Sequence, residues 1–229
     1  MFLTLILSSF LTFMELNCEN LFDTRHDSLK NDLEFLPDGS YRWTPYRYWA
    51  KLNHLGQEIV AQSNPIPDFV AMCEVENDSV MFDLTRRSLL RNAGYEYVMT
   101  SSPDERGIDV ALLYQPASFA LLHSHSIRIK PLPDTRPTRD ILYASGLIIT
   151  GDTLHVFVVH APSRRGGELA SRPYRLHVAD RLAAAVDSIY AESRDAKIIV
   201  AGDFNDYADS PALKRLYQHH LINISHDAQ

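Results

Sequence analysis

The stretch whose reading decides the fold is KIIVAGDFNDYADSP, Lys197 to Pro211. Ile198 to Ala201 form an apolar run fit for a buried strand, and Gly202 leads it into Asp203, Asn205 and Asp206. Taken singly, Gly-Asp-x-Asn is an ordinary turn, and its Asp or Asn can cap a following helix. The chemical alternative is that carboxylate and amide oxygens at a strand end suit a hard cation such as Mg²⁺ and the phosphate it carries.

The habit recurs along the chain. LTFMELN, Leu11 to Asn17, reads as a first strand ending in an amide. PDFVAMCEVEN reads as a strand that ends in acids, Glu74 among them. TLHVFVVHAPS is a strand with His160 at its end, followed by the basic, glycine-containing SRRGG. Further strands are expected in YEYVMTSS, DVALLYQP, FALLHSHSIRI and ILYASGLIIT. Helical periodicity marks Tyr46 to Ser63, with Trp49, Leu52, Leu55, Ile59 and Val60 on one face. DSVMFDLTRRSLLRNAG reads as one helix closed by Gly94, RPYRLHVADRLAAAVDSIYAES as a long helix, and Ala212 to His220 as a short one. Hairpin-like strand pairs mixed with crossover helices predict an α/β protein with mixed sheets and helices outside. In layered α/β folds ligand-handling residues collect at strand ends, so these polar ends are expected to converge on one cleft.

Each has a role in phosphate chemistry. Glu74 suits Mg²⁺, which takes one or two carboxylates and keeps waters for its substrate. Asn17 is a turn former that can also support the metal. His160 can bind phosphate or pass a proton to a leaving oxygen. Arg164 and Arg165 pair well with phosphate oxygens, and Gly166 and Gly167 let backbone approach closely. Asp203 can orient or deprotonate water, and the Asn205 amide can stabilise charge on phosphoryl oxygens.

The 229 residues, 45% hydrophobic and 22% charged, fit one large domain with a substantial core. A net charge of −7 disfavours a non-specific grip on long nucleic acid, although a local basic cleft is compatible with it. Cys18 and Cys73 make no disulfide framework or zinc set and read as two buried thiols. The apolar start MFLTLILSSFLTFM resembles the hydrophobic part of a signal peptide without a basic flank. Residues 1–10 are read as a signal remnant and 11–229 as the domain. Export is favoured over a cytoplasmic location, with no membrane span and no stable protein partner expected.

In order, ELNCENLFD, DFVAMCEVEN, RGIDVALLY, VVHAPSRRGG and VAGDFND resemble the endonuclease/exonuclease/phosphatase superfamily over roughly Glu15 to Asp206, and in particular its uncharacterised bacterial branch. The resemblance implies a four-layer α/β/β/α sandwich with two mixed β-sheets and a Mg²⁺-dependent phosphoesterase, Mn²⁺ being the alternative metal. It implies Asn17 and Glu74 as metal residues, His160 as a contact to the scissile phosphate, and Asp203 and Asn205 as handlers of water and phosphate. Asp109 is implied as the partner orienting His160, and Arg106, with Arg164, as a substrate-phosphate contact. The resemblance places Cys73 where many members carry Gln before the Glu and Cys18 where many carry a small apolar residue, and both are expected to stay clear of the chemistry, because alternation turns neighbouring strand side chains to opposite faces.

The family's closing Asp-His pair is not matched, since His226 and Asp227 come in reverse order close to Gln229. A longer parent protein is therefore expected, with little activity in the 229 residues alone and an unpaired sheet edge. The substrate expected is a phosphodiester, with nucleic acid included, and the activity nuclease-like. Alternatives are a phosphomonoesterase, a lipid phosphodiesterase of sphingomyelinase or inositol phosphatase type, and a non-catalytic binder on the same fold.

Overall fold

The computed structural model describes residues 10–62, 65–133 and 135–224. The apolar start up to residue 9, and with it nearly all of the expected signal remnant, lies outside the described residues, as do His226 and Asp227. The elements run β1 (Phe13–Leu21), α1 (Pro45–Ala61), β2 (Phe69–Val75), α2 (Asp78–Arg86), β3 (Glu96–Met99), β4 (Asp109–Tyr114), β5 (Phe119–Ile127), β6 (Ile141–Ile148), β7 (Thr153–His160), α3 (Glu168–Glu192), β8 (Lys197–Asp203) and α4 (Pro211–Tyr217).

Two four-stranded mixed sheets form, in the orders β1-β2-β4-β3 and β5-β6-β7-β8. In each, an outer strand runs parallel to its neighbour, β1 to β2 and β8 to β7, and the remaining pairs are antiparallel. The sheets pack face to face, with β2 and β4 over β7 and with β1 against β8. α1 and α2 cover one outer face, and α3 and α4 the other. This is the four-layer sandwich that the family resemblance implied.

Period-2 alternation sorts the core. Phe69, Ala71 and Cys73 of β2 lie between the sheets with Val110, Leu112, Val156 and Val158, while Val70 and Met72 lie under α1 and α2. A strand buried on both faces needs an unbroken apolar run, which is why FVAMC carries no polar residue. Each large side chain fully buried there contributes about 1.5–3 kcal/mol.

Three local expectations change. On α1 the expected Leu52 and Ile59 are buried together with Tyr48 and Gly56, and Trp49 and Leu55 pack against the same core, but Val60 is exposed. The single helix expected after Asn77 ends at Arg86, and a separate 3-10 turn spans Leu89–Asn92, with Ser88 capping it. α3 begins at Glu168 and carries Pro173 inside it, four residues earlier than the proline suggested. Cys18 and Cys73 are free and buried, as read.

Candidate active site

The strand periodicity aims three predicted residues into the space between the sheets at one end. Leu11, just before β1, and Phe13 at its start pack in the inter-sheet core, so by alternation Asn17 shares the face of Phe13. On β7 the same argument runs through Leu154, Val156 and Val158 to His160. On β8 it runs through Ile199 and Ala201 to Asp203. Pairing register sets His160 beside Asp203 and Asn17 beside Cys73. Asn17 Nδ2 donates to Asp203 Oδ2 at 3.3 Å, closing the gap between sheets.

Glu74 arrives by another route. It follows the inward-facing Cys73, so alternation alone would turn it outward. The β2 pairing slips between Cys73 and Val75, and Glu74 adopts a left-handed φ of 61°. Such a bulge re-aims a side chain at the cost of local strain. Glu74 Oε1 ends 3.7 Å from His160 Nε2, and Asp203 Oδ2 lies 3.9 Å from the same nitrogen. The expectation that alternation would hold Cys73 away is corrected, since Cys73 shares the inner face with Asn17. Burial pushes its thiol up to about 12, so it stays protonated.

Asp203 is held by three donors. Asn205 N donates to Oδ1 at 2.7 Å, and Asn205 Nδ2 and Asn17 Nδ2 both donate to Oδ2. Asn205 has a positive φ of 51° and also donates to the Ala161 carbonyl at 3.1 Å. Gly202 is required just before: at φ 120°, an added Cβ would lie 2.0 Å from the Val159 carbonyl oxygen. Behind the loop, Arg175, buried on α3, pairs with Asp206 at 2.8 Å.

His160 is buried, and burial with the nearby Arg139 and Arg106 charges holds its imidazole far below its usual range, at about 2. The Glu74 and Asp203 carboxylates lie just beyond hydrogen-bond length from its Nε2. Its Nδ1 is buried without a hydrogen-bond partner among the described residues. Asp109 therefore does not orient it, which corrects the expected pairing. Asp109 alternates with Val110, which lies between the sheets, and its Oδ1 accepts from Thr100 Oγ1, Ser102 N and Ser102 Oγ.

Arg106 is exposed, and its guanidinium donates to Asn20 Oδ1, close behind Asn17 in sequence. Arg164 is exposed and stacks over Tyr207 at 4.3 Å, making no ion pair or hydrogen bond with His160, Glu74 or Asp203. Arg139 was not singled out in the sequence. It is nearly buried, donates to the Ala161 carbonyl at 2.8 Å, and pairs with Asp104 at 3.3 Å. Its only sequence signal is a charged residue just before an apolar strand. Glu15 was also passed over. It is exposed along the strand edge, yet the protein around its carboxyl and the charge of Asp203 hold it above the usual carboxylate range.

The donor set fits a hard divalent cation. Glu74 makes no hydrogen bond among the described residues, so both its oxygens are available. Asn17 Oδ1 accepts only the Glu19 amide at 2.8 Å and keeps a second lone pair. No group of three or more His, Cys, Asp or Glu forms a closed metal cage among the described residues. Mg²⁺ does not require one, because it takes few protein ligands. No helix among the described residues is long and apolar enough to cross a membrane.

No curated protein matches. Among solved structures, the human nocturnin catalytic domain with bound sulfate aligns at 23% identity and TM-score 0.51, covering 65% of this chain and 55% of that one. The Bacteroides thetaiotaomicron mannosyl-6-phosphatase aligns at 16% identity and TM-score 0.64, covering 91% and 70%. D. rerio TDP2 complexed with single-strand DNA product aligns at 17% and 0.57, covering 90% and 64%. The chain thus spans just over half of the nocturnin domain and just under two thirds of TDP2, and the likeness to all three is one of fold. The endonuclease/exonuclease/phosphatase family profile matches residues 12–222, nearly the whole sequence, and the chain belongs to that family.

Proposed function

We propose that this site hydrolyses a phosphate ester with a divalent metal, Mg²⁺ or Mn²⁺, and that the substrate is a phosphodiester of nucleic-acid type. The observation that supports it is the meeting of Asn17, Glu74, His160 and Asp203 from both sheets at one end of the sandwich, around a Glu74 carboxylate that makes no hydrogen bond among the described residues.

Glu74 and Asn17 would hold the metal, which when bound supplies Lewis-acid polarisation of the phosphoryl group. Asp203 accepts the proton of the attacking water, its own position fixed by Asn17 and Asn205. His160 stays neutral, so its Nε2–H donates a hydrogen bond to a phosphoryl oxygen without adding charge. Arg106 and Arg139 supply the positive field against which negative charge develops. Export of the protein is proposed from the apolar start alone.

The test is hydrolysis of plasmid DNA and bis-p-nitrophenyl phosphate with Mg²⁺ and with chelator. The 229-residue chain is compared with a form extended through a C-terminal Asp-His, with Asp203→Ala as control. Metal-dependent cleavage lost in the variant is expected. Cleavage that survives Asp203→Ala, or none of either substrate by either form, would reject the reading.

A further inference from the structure

Beside Asn17 and Glu74 opens a cavity of about 360 Å³ that the chemistry above does not use. Its far wall is the loop between β1 and α1, with Phe35, Tyr41 and Trp43. Three rings stack outward through this loop. Phe22 lies on Phe35 at 4.1 Å and 5°, and Phe35 lies on Tyr41 at 5.1 Å and 28°. Phe22 is buried and Tyr41 is 52% exposed, so the column ends in an open ring that lines the cavity.

The column is held in place before any ligand arrives. Trp43 Nε1 donates to the Phe22 carbonyl at 2.9 Å, and the Arg47 guanidinium donates to the Tyr41 carbonyl. A flat face fixed in advance loses little freedom on binding. Charge adds a second feature. Arg47 and Lys51, one turn apart on α1, lie 5.6 and 5.5 Å from the centre of the Trp43 ring. Both line the cavity, and no carboxylate pairs with either within 4.0 Å among the described residues. Lys51 Nζ instead donates to the carbonyls of Glu19 and Asn20 at 2.6 and 3.3 Å, with the Glu19 and Glu74 carboxylates acting on it only from beyond ion-pair distance.

We propose that this cavity is the subsite for the ring-bearing part of the substrate. A nucleobase or sugar ring lies on Tyr41 while its phosphate reaches the Asn17 and Glu74 end, and Arg47 and Lys51 neutralise the anion. The inference rests on the phosphoesterase reading above and adds to it the shape of what the phosphate carries. Carbohydrate and nucleobase share the chemistry used here, a ring face set close to a phosphate.

The test reads binding rather than turnover. Adenosine 5′-monophosphate, mannose 6-phosphate and inorganic phosphate are titrated calorimetrically with Mg²⁺ into the full chain, in an Asp203→Asn background that prevents hydrolysis. One of the two ring phosphates should bind roughly 5- to 150-fold more tightly than inorganic phosphate, the range one stacked ring contributes. The one that does identifies the ring. Tyr41→Ala should remove that advantage and leave inorganic phosphate binding unchanged, while Tyr41→Phe keeps it. If Tyr41→Ala does not fold, Tyr41→Leu preserves contact with Phe35 and removes the flat face. Inorganic phosphate bound without any ring advantage, or an advantage that survives loss of the Tyr41 ring, overturns the subsite alone. Failure to bind even inorganic phosphate overturns the phosphoesterase reading and the subsite with it.

Discussion

Asn17 and Asp203, separated by 186 residues, are joined by one hydrogen bond of 3.3 Å between the outer strands of two different sheets. The bond is made at the end of the sandwich where Glu74 and His160 also project. It couples the residue proposed to hold the metal to the residue proposed to move the proton.

Glu74→Gln should keep the fold and weaken metal binding. The carboxylate has no hydrogen bond among the described residues to lose, and the amide is nearly isosteric. The fall in affinity should be at least the roughly 10-fold that loss of a ligand-orienting group costs. Mn²⁺ titration followed by electron paramagnetic resonance measures it, and an unchanged affinity would remove Glu74 from the metal site.

His160 should remain neutral in the metal-free protein throughout the range in which an ordinary histidine titrates. Burial and the Arg139 and Arg106 charges depress its pKa to about 2. The unfolded chain therefore binds a proton here that the folded chain does not, so stability falls as pH drops below the usual histidine range. Imidazole NMR shifts should be flat for His160 from about pH 5 to 8. A midpoint near the ordinary value would contradict the burial argument.

Removing one partner of the Arg175–Asp206 pair should be severe. Both side chains are buried, and the pair fixes the loop that presents Asp203 and Asn205. Arg175→Met leaves an unpaired buried carboxylate and should cost about 3–5 kcal/mol in urea unfolding. Arg175→Met with Asp206→Leu should recover part of that loss, because the stranded charge is gone.

Glu76 makes stability fall with pH. It is buried and surrounded by Asp23, Asp32 and Asp27, and its carboxyl is raised from 4.5 to about 8. Between those values the folded chain keeps a proton that the unfolded chain has released, so stability declines as pH rises through about 8. Glu76→Gln should retain the bond from Asp23 N and flatten the decline, raising Tm at pH 9 by roughly 5 °C relative to the parent. Parallel melting curves for the two proteins across the range would refute it.

The apolar runs and their polar ends were legible because strand burial is a local property. The polar strand ends Asn17, Glu74, His160 and Asp203 were expected to converge on one cleft, the order of elements predicted an α/β protein with mixed sheets, and the family resemblance implied the sandwich. Asp109 was misassigned for a related reason. Being next to an inward-facing valine places it on the other face, but the hydroxyls of Thr100 and Ser102 that take it up come from a neighbouring segment. Arg139 stood out only as a charged residue before an apolar strand, since its place in the site arises from the segment before β6 meeting the Ala161 carbonyl.

By itself the sequence determined which segments are strands, which of their faces are buried and which polar residues stand at their ends, because period-2 and period-3.6 patterns record burial residue by residue. Only the tertiary structure decided that Glu74 turns inward at a bulge, that Arg139 joins the site and Asp109 leaves it, and that an aromatic column opens beside the metal-side residues. These depend on register slips, sheet-to-sheet approach and loop packing, which are set by pairings between segments far apart in the chain.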